Sequence, residues 1–373
     1  MGLLVRTLGF RVAALCAFSG LAAGAGCGST GDTAATSTGT PGTGGTGSVL
    51  TGVGGNGNEG SASSSSMSSS TGAGGAEVKL GPPYPIVLAH GFFGFNDFAG
   101  AGFLTYFYNV KDYLQAHDEP LVFTPAVDPF NTSDFRGAQL ASYVEEILKA
   151  TGHEKVNIIG HSQGGLDARV VANLRPDLVA SVVTVATPHE GSQVADVVLD
   201  LVSDPNAQDA INDLLVLLGA PLYDQIGNET NVILPLKLFS QPGIAAFNKA
   251  HKDEPGVFYA SIGGRTDWAL SGSECNPDVK LPFITDWQGK LDPVDPLLSV
   301  FEGILDGGFG ESIPNDGLVR VAASKRGEFW GCVPADHLDE VGQLLGDSPG
   351  LGNSWKHQEF YAAIVAELRK RGF

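Results

Sequence analysis

Ser162 stands at the centre of Gly160-His161-Ser162-Gln163-Gly164, directly after the apolar run Val156-Asn157-Ile158-Ile159. The following residues, Gly165-Leu166-Asp167-Ala168-Arg169-Val170-Val171-Ala172, are compatible with a helix. A serine on a sharp, glycine-flanked turn between strand and helix projects its hydroxyl from the carboxyl edge of a parallel sheet, where it can attack a carbonyl carbon. The pentapeptide alone is weak. With 51 Gly in 373 residues, a G-x-S-x-G string arises by chance about half a time. The strand and helix on either side carry the inference, and they predict a serine-dependent hydrolase of ester bonds. The alternative is a structural turn serine.

Such chemistry needs a base for the hydroxyl proton, an acid to orient that base, and donors for the developing oxyanion. On a strand-turn-helix scaffold of this kind the order along the chain is serine, acid, histidine. Downstream of Ser162 come Asn315-Asp316-Gly317, with the apolar stretch Leu318-Val319-Arg320-Val321, and then Asp336-His337-Leu338-Asp339-Glu340. The order fits. His189 and His357 also lie downstream, and Asp267, Asp286 and Asp292 compete with Asp316, so order alone leaves the acid and the base open.

The elements around these residues alternate. Pro85-Ile86-Val87-Leu88-Ala89 reads as a buried strand, residues 104–116 as a helix, and Leu121-Val122-Phe123 as a second strand. Ala138, Ala141, Val144 and Leu148 recur at helical spacing, with Asp134 as the expected N-cap. Residues 179–186 and 257–262 read as further strands, and residues 355–370 as an amphipathic helix. Apolar strands alternating with helices imply an α/β fold, a mostly parallel sheet covered on both faces.

Residues 1–26 carry Arg6 and Arg11 ahead of a short apolar stretch and end in small residues, the pattern of a secretory signal. Gly24-Ala25-Gly26-Cys27 resembles a loose lipoprotein box, so Cys27 is either lipidated or left in a freely secreted product. Residues 27–76 form a Gly/Ser/Thr-rich tether; Asp32 and Glu59 are its only charges, too little apolar content to order the chain. Residues 77–373 remain for one catalytic domain. Export favours a disulfide between Cys275 and Cys332; the alternative is two buried thiols. The formal net charge of −19 and the lack of a basic cluster exclude nucleic acid as an expected partner.

Residues 84–94 (YPIVLAHGFFG), residues 155–195, PNDGLV (314–319) and DHLDEVGQLLG (336–346) together resemble the bacterial true lipases of the Pseudomonas and Burkholderia type. The resemblance implies an α/β-hydrolase fold with a helical lid or cap over residues 193–255. It implies Ser162 as nucleophile, His337 as base and Asp316 as acid, with the backbone N–H groups of Phe92 and Gln163 as oxyanion donors. It implies a structural calcium held by Asp292, Asp339, Gln343 and the carbonyl of Asp347; Asp339 and Gln343, four apart, would share one face of a helix. No organic cofactor is expected. The chain departs from the family at Ala322, where relatives carry a cysteine. The apolar run at residues 210–218 is either core or a lid over an acyl pocket. The expected activity is that of an exported triacylglycerol lipase, working at a lipid–water interface and served by a dedicated folding chaperone in many relatives. The alternatives are a carboxylesterase for short soluble esters and a cell-surface protein that kept the fold without turnover.

Overall fold

A computed structural model describes residues 79–92, 106–202, 233–266, 273–290, 292–296, 298–307, 312–343, 349 and 352–373. The expected signal and tether with Cys27, the apolar run at 210–218, Asp267 and Asp347 lie outside the described residues.

In chain order the elements are β1 (Ile86–Ala89), α1 (Val110–Ala116), β2 (Val122–Phe123), α2 (Ser133–Thr151), β3 (Val156–His161), α3 (Gln163–Leu174) and β4 (Val179–Val185). Then come α4 (Gln193–Val202), α5 (Ile233–Phe239), α6 (Gln241–Ala250), β5 (Phe258–Gly264), α7 (Pro282–Thr285), α8 (Ser299–Leu305), β6 (Glu328–Val333) and α9 (His357–Lys370). The six strands pair in the order β2-β1-β3-β4-β5-β6, every pair parallel. A parallel sheet needs a crossover after each strand, and the crossovers cover both of its faces.

Strand alternation divides the core. Ile86, Leu88, Ile159, Val183, Val185 and Ile262 point to one face and pack against Val110 and Leu114 of α1 and Phe360, Ile364 and Leu368 of α9. Val87, Ala89, Ile158 and Val182 point to the other and meet Leu140, Val144 and Leu148 of α2 and Ala168, Val171 and Ala172 of α3. A third apolar cluster joins Leu166 and Val170 of α3 to Val194 and Val198 of α4, Leu236 and Phe239 of α5, Ile244 and Phe247 of α6, and Phe301 and Leu305 of α8. These are the described helices of the expected cap region and its neighbour, and they rest on the helix that follows Ser162.

Several local expectations need correction. The first helix starts only at Val110, after Asn109 at φ 53°. Thr132, in extended backbone, precedes the first residue of α2, so Asp134 lies inside the first turn and its carboxylate meets His251 Nε2 at 2.7 Å. On the same helix Ala138 is exposed and Arg136 is buried in the inward stripe. The apolar stretch Leu318–Val321 bends after Asp316 and leads into a 3-10 segment, Val321–Ser324. The edge strand β6 carries no clear strand pattern: its six residues, EFWGCV, include Gly331 at φ 115° and interrupt the apolar alternation.

Candidate active site

β3 ends at His161 and α3 begins at Gln163, so Ser162 alone makes the turn, at φ 54° and ψ −128°. Backbone strain in this region costs on the order of 1–3 kcal/mol and persists only where its surroundings hold it. Here Ser162 N donates to Val185 O at 2.9 Å, and Ser162 O accepts from Gly165 N at 3.1 Å and from Thr187 Oγ1 at 2.8 Å. The flanking glycines are sterically required. A Cβ on Gly164 would overlap the Ala89 carbonyl, and one on Gly160 would reach Gly164 O at 2.5 Å.

Asp316 and His337, distant in sequence, meet beside this turn. His337 Nδ1 and Asp316 Oδ2 are 2.9 Å apart, and both residues are buried. The other carboxylate oxygen, Oδ1, accepts from Leu318 N at 2.8 Å and Val319 N at 2.6 Å, while His337 N donates to Asp316 O at 2.9 Å. The bend after Asp316 thus orients its carboxylate toward His337. A carboxylate on Nδ1 fixes that nitrogen as the protonated one and leaves Nε2 to take up a proton. The His337 ring lies 4.6 Å, centroid to centroid, from that of His161, the residue preceding Ser162.

The competing residues are committed elsewhere. His189 sits 3.0 Å from Thr184 Oγ1, and burial pushes its pKa well below the usual histidine range. His357 Nε2 donates to Tyr108 O at 2.8 Å. Asp292 Oδ2 accepts from Asp336 N at 2.7 Å, and Asp286 caps α7.

The loop after β1 runs against the elbow: a Cβ on Gly91 would stand 2.7 Å from Ser162 Cβ. Phe92 follows, its ring edge-on to Phe130 and Phe239, each 6.1 Å away between centroids. The Gln163 side chain is held by Asn131, Nε2 donating to its carbonyl at 2.8 Å, while its backbone opens α3. His90 donates from Nδ1 to Gly91 O at 3.0 Å and accepts at Nε2 from Val127 N at 3.1 Å. Burial drives its pKa down to about 3, so the ring is neutral.

Arg136 was not singled out by sequence, yet it anchors this loop. It is 0% exposed and donates to four oxygens: Asp167 Oδ2 at 2.8 Å, Asp128 O at 3.0 Å, His90 O at 2.6 Å and Gly91 O at 3.2 Å. Burial pushes the Asp167 carboxyl up to about 6, against the pull of the guanidinium. The available sequence signal was positional: Arg136 lies four and eight residues before the buried Leu140 and Val144, a cation within an apolar stripe.

An acidic cluster underlies the histidine loop. Single ligand oxygens of Asp292, Asp336 and Asp339 lie within 4.8 Å of one another, all three residues buried. Asp336 Oδ1 accepts from Leu338 N and Asp339 N, and its Oδ2 accepts from Asp295 N at 2.9 Å. Burial raises the Asp336 carboxyl, and Glu340 is raised well above the usual range by burial and the charges of Asp316, Asp336, Asp339 and Asp292. Buried carboxylates this close need a counter-charge, and an oxygen-only donor set fits a hard divalent cation. The helical spacing expected of Asp339 and Gln343 does not hold. The 3-10 segment Asp339–Val341 ends at Gly342 with φ 72°, and Gln343 lies beyond it, donating from Nε2 to Tyr106 O at 2.8 Å. Asp336, absent from the expected ligand set, lies in the same acidic group as Asp292 and Asp339. The disulfide between Cys275 and Cys332 is present, S–S 2.04 Å, tying the segment before α7 to β6, five residues ahead of His337.

The pattern of the alpha/beta hydrolase fold family matches residues 84–222. A triacylglycerol lipase of Burkholderia plantarii is 31% identical over 297 residues, covering 70% of this chain and 80% of that protein. A triacylglycerol lipase of Vibrio cholerae is 34% identical over 283 residues, covering 70% and 81%. Among solved structures, Staphylococcus hyicus lipase superposes with a TM-score of 0.51 at 18% identity, covering 79% of this chain and 98% of that one. That last likeness shows the fold alone. Sequence kinship, parallel sheet and elbow agree: the chain belongs to the bacterial triacylglycerol lipases of the α/β-hydrolase fold and is a carboxylic ester hydrolase.

Proposed function

We propose that this enzyme cleaves acylglycerol esters through an acyl-enzyme on Ser162. The observation that carries the reading is the 2.9 Å contact between Asp316 and His337, made beside the elbow that holds Ser162. Ser162 Oγ attacks the ester carbonyl carbon while His337 Nε2 takes its proton, and Asp316 steadies the resulting imidazolium. The backbone N–H groups of Phe92 and Gln163 receive the oxyanion; such donors contribute roughly 3 kcal/mol of barrier reduction each. The imidazolium then protonates the departing glyceride oxygen. Water, deprotonated by His337, attacks the acyl carbon, releases the fatty acid and restores Ser162.

Asp292 and Asp339, with Asp336 beside them and Gln343 and the Asp347 carbonyl as further donors, would hold a calcium ion. Bound there, it would neutralise the carboxylates under the histidine loop and hold His337 in register; it has no part in the acyl transfer itself. Export belongs to the same proposal, supported by the signal-like start of the chain and by a disulfide, which persists in oxidising compartments. A lipid anchor on Cys27, a lid over residues 210–218 and a folding chaperone complete it.

The test combines a fluorophosphonate probe with a chain-length series. The wild type should be labelled and Ser162→Ala should not, and emulsified long-chain triglyceride should be hydrolysed faster than soluble butyrate esters. Faster turnover of the soluble esters would make the protein a carboxylesterase. An absence of labelling would leave a fold without turnover.

A further inference from the structure

Behind His337 lies a second set of polar side chains, the buried His161 and Glu340 and the half-buried Tyr106, that the acyl transfer does not use. His161 has both ring nitrogens engaged: Nδ1 lies 2.7 Å from Tyr106 Oη and Nε2 lies 2.8 Å from Glu340 Oε2. The three residues come from three different segments. Tyr106 precedes α1, and its hydroxyl packs against Gly91, where a Cβ would overlap it. His161 is the last residue of β3, adjoining the nucleophile. Glu340 is three residues past His337, and its Oε1 packs on Gly264 at the end of β5, where again a Cβ would overlap it. Glu340 is 0% exposed and lies 179 positions from its partner in sequence.

We infer that Tyr106, His161 and Glu340 form a hydrogen-bonded strut that sets the distance between the nucleophile turn and the histidine loop, acting as positioning residues for Ser162 and His337. The inference rests on the proposal that Ser162 and His337 react together. Each end of the strut touches a loop that carries part of the machinery. Tyr106 braces the oxyanion loop at Gly91, Glu340 braces the loop of His337, and the imidazole between them lies 4.6 Å from the His337 ring. Burying a histidine and a glutamate is costly unless their polar atoms are paired. Replacing both with apolar residues would be the simpler solution for packing alone. What the polar pair adds is direction: a hydrogen bond fixes separation and angle where apolar contact tolerates sliding.

The strut acts through its hydrogen bonds, so an amide in place of the carboxylate should preserve it. Glutamine at position 340 can donate to or accept from His161 Nε2, whichever tautomer the ring adopts. The experiment compares Glu340→Ala, Glu340→Gln and Tyr106→Phe with wild type in the full chain. It measures kcat and KM on a soluble p-nitrophenyl ester, the fluorophosphonate labelling rate and Tm. Val144→Ala, on the buried face of α2, serves as a stability control. Displacement of reacting groups by a fraction of an ångström to 1 Å lowers rates by about 10- to 100-fold. Glu340→Ala should lose kcat in that range with KM within twofold, and labelling should slow in parallel. Glu340→Gln should recover most of the loss, and Tyr106→Phe should fall between. Val144→Ala should lower Tm without changing kcat.

Wild-type kcat in Glu340→Ala would overturn the strut. So would a Glu340→Gln variant as slow as Glu340→Ala, because charge and not the hydrogen bond would then be what matters. A wild type that the probe fails to label would instead remove the serine-hydrolase reading, and the strut with it.

Discussion

Arg136 offers the most demanding test of how this site is held. Its guanidinium is fully buried between α2, α3 and the loop after β1, and donates to the Asp167 carboxylate and to the carbonyls of Asp128, His90 and Gly91. Arg136→Met keeps much of the side-chain volume and removes every donor. Asp167 is left as an uncompensated buried carboxylate, a defect that costs about 3–5 kcal/mol. At roughly 2 °C per kcal/mol for a domain of this size, Tm should fall by about 6–10 °C. The His90 and Gly91 carbonyls lose their anchor at the same time, and the Phe92 N–H drifts from its place. Loss of this proposed oxyanion donor should lower kcat about 100-fold, close to 3 kcal/mol of barrier. The double variant Arg136→Met with Asp167→Leu separates the two effects. Removing both charges should restore most of the stability, since apolar replacements of buried pairs are often neutral, while kcat stays low. The assay pairs thermal unfolding with steady-state hydrolysis of a soluble ester. A single variant with wild-type kcat, or a double variant that regains kcat together with Tm, would refute the view that Arg136 positions the oxyanion loop.

Chelation should lower Tm and activity together, and a ligand at about 100 times its Kd contributes about 2.7 kcal/mol; Asp292→Asn with Asp339→Asn should abolish the difference between chelated and calcium-supplied protein, and persistence of that difference would place the ion elsewhere. Replacing Cys275 and Cys332 with alanine removes a link across 57 residues; the chain-entropy argument puts the loss at about 4 kcal/mol, and an unchanged Tm would show that the bridge constrains little. His90 has its folded pKa lowered from 6.5 to about 3, so the unfolded chain binds the extra proton between those values. Its contribution to stability is complete above pH 6.5 and is lost as pH falls toward 3; His90→Asn should flatten that part of the Tm–pH profile, and an unaltered slope would mean that other groups govern it. Asp167, raised from 3.8 to about 6, acts with the opposite sign, its contribution declining as pH rises between those values.

Local pattern was enough to read the sharp turn at Ser162, the alternating strands and helices, and the cysteine pairing. Each of these leaves a short-range or compositional mark: glycines flanking Ser162, apolar runs at Ile86–Ala89 and Val156–His161, and two cysteines after residue 76. The choice of Asp316 and His337 over their rivals leaned on likeness to known lipases, because nothing in a lone acid or histidine says which loop it will share. Tertiary structure alone decided the rest. It buried Arg136 and Asp167 as a pair, brought Glu340 to His161 across the sheet edge, replaced an expected helical calcium face with a 3-10 turn ended by Gly342, and added Asp336 to the acidic cluster. The two buried pairs join residues 31 and 179 positions apart. Their energies come from burial and hydrogen-bond geometry, which depend on where chain segments meet and have no signature in the spacing of residues along any one of them.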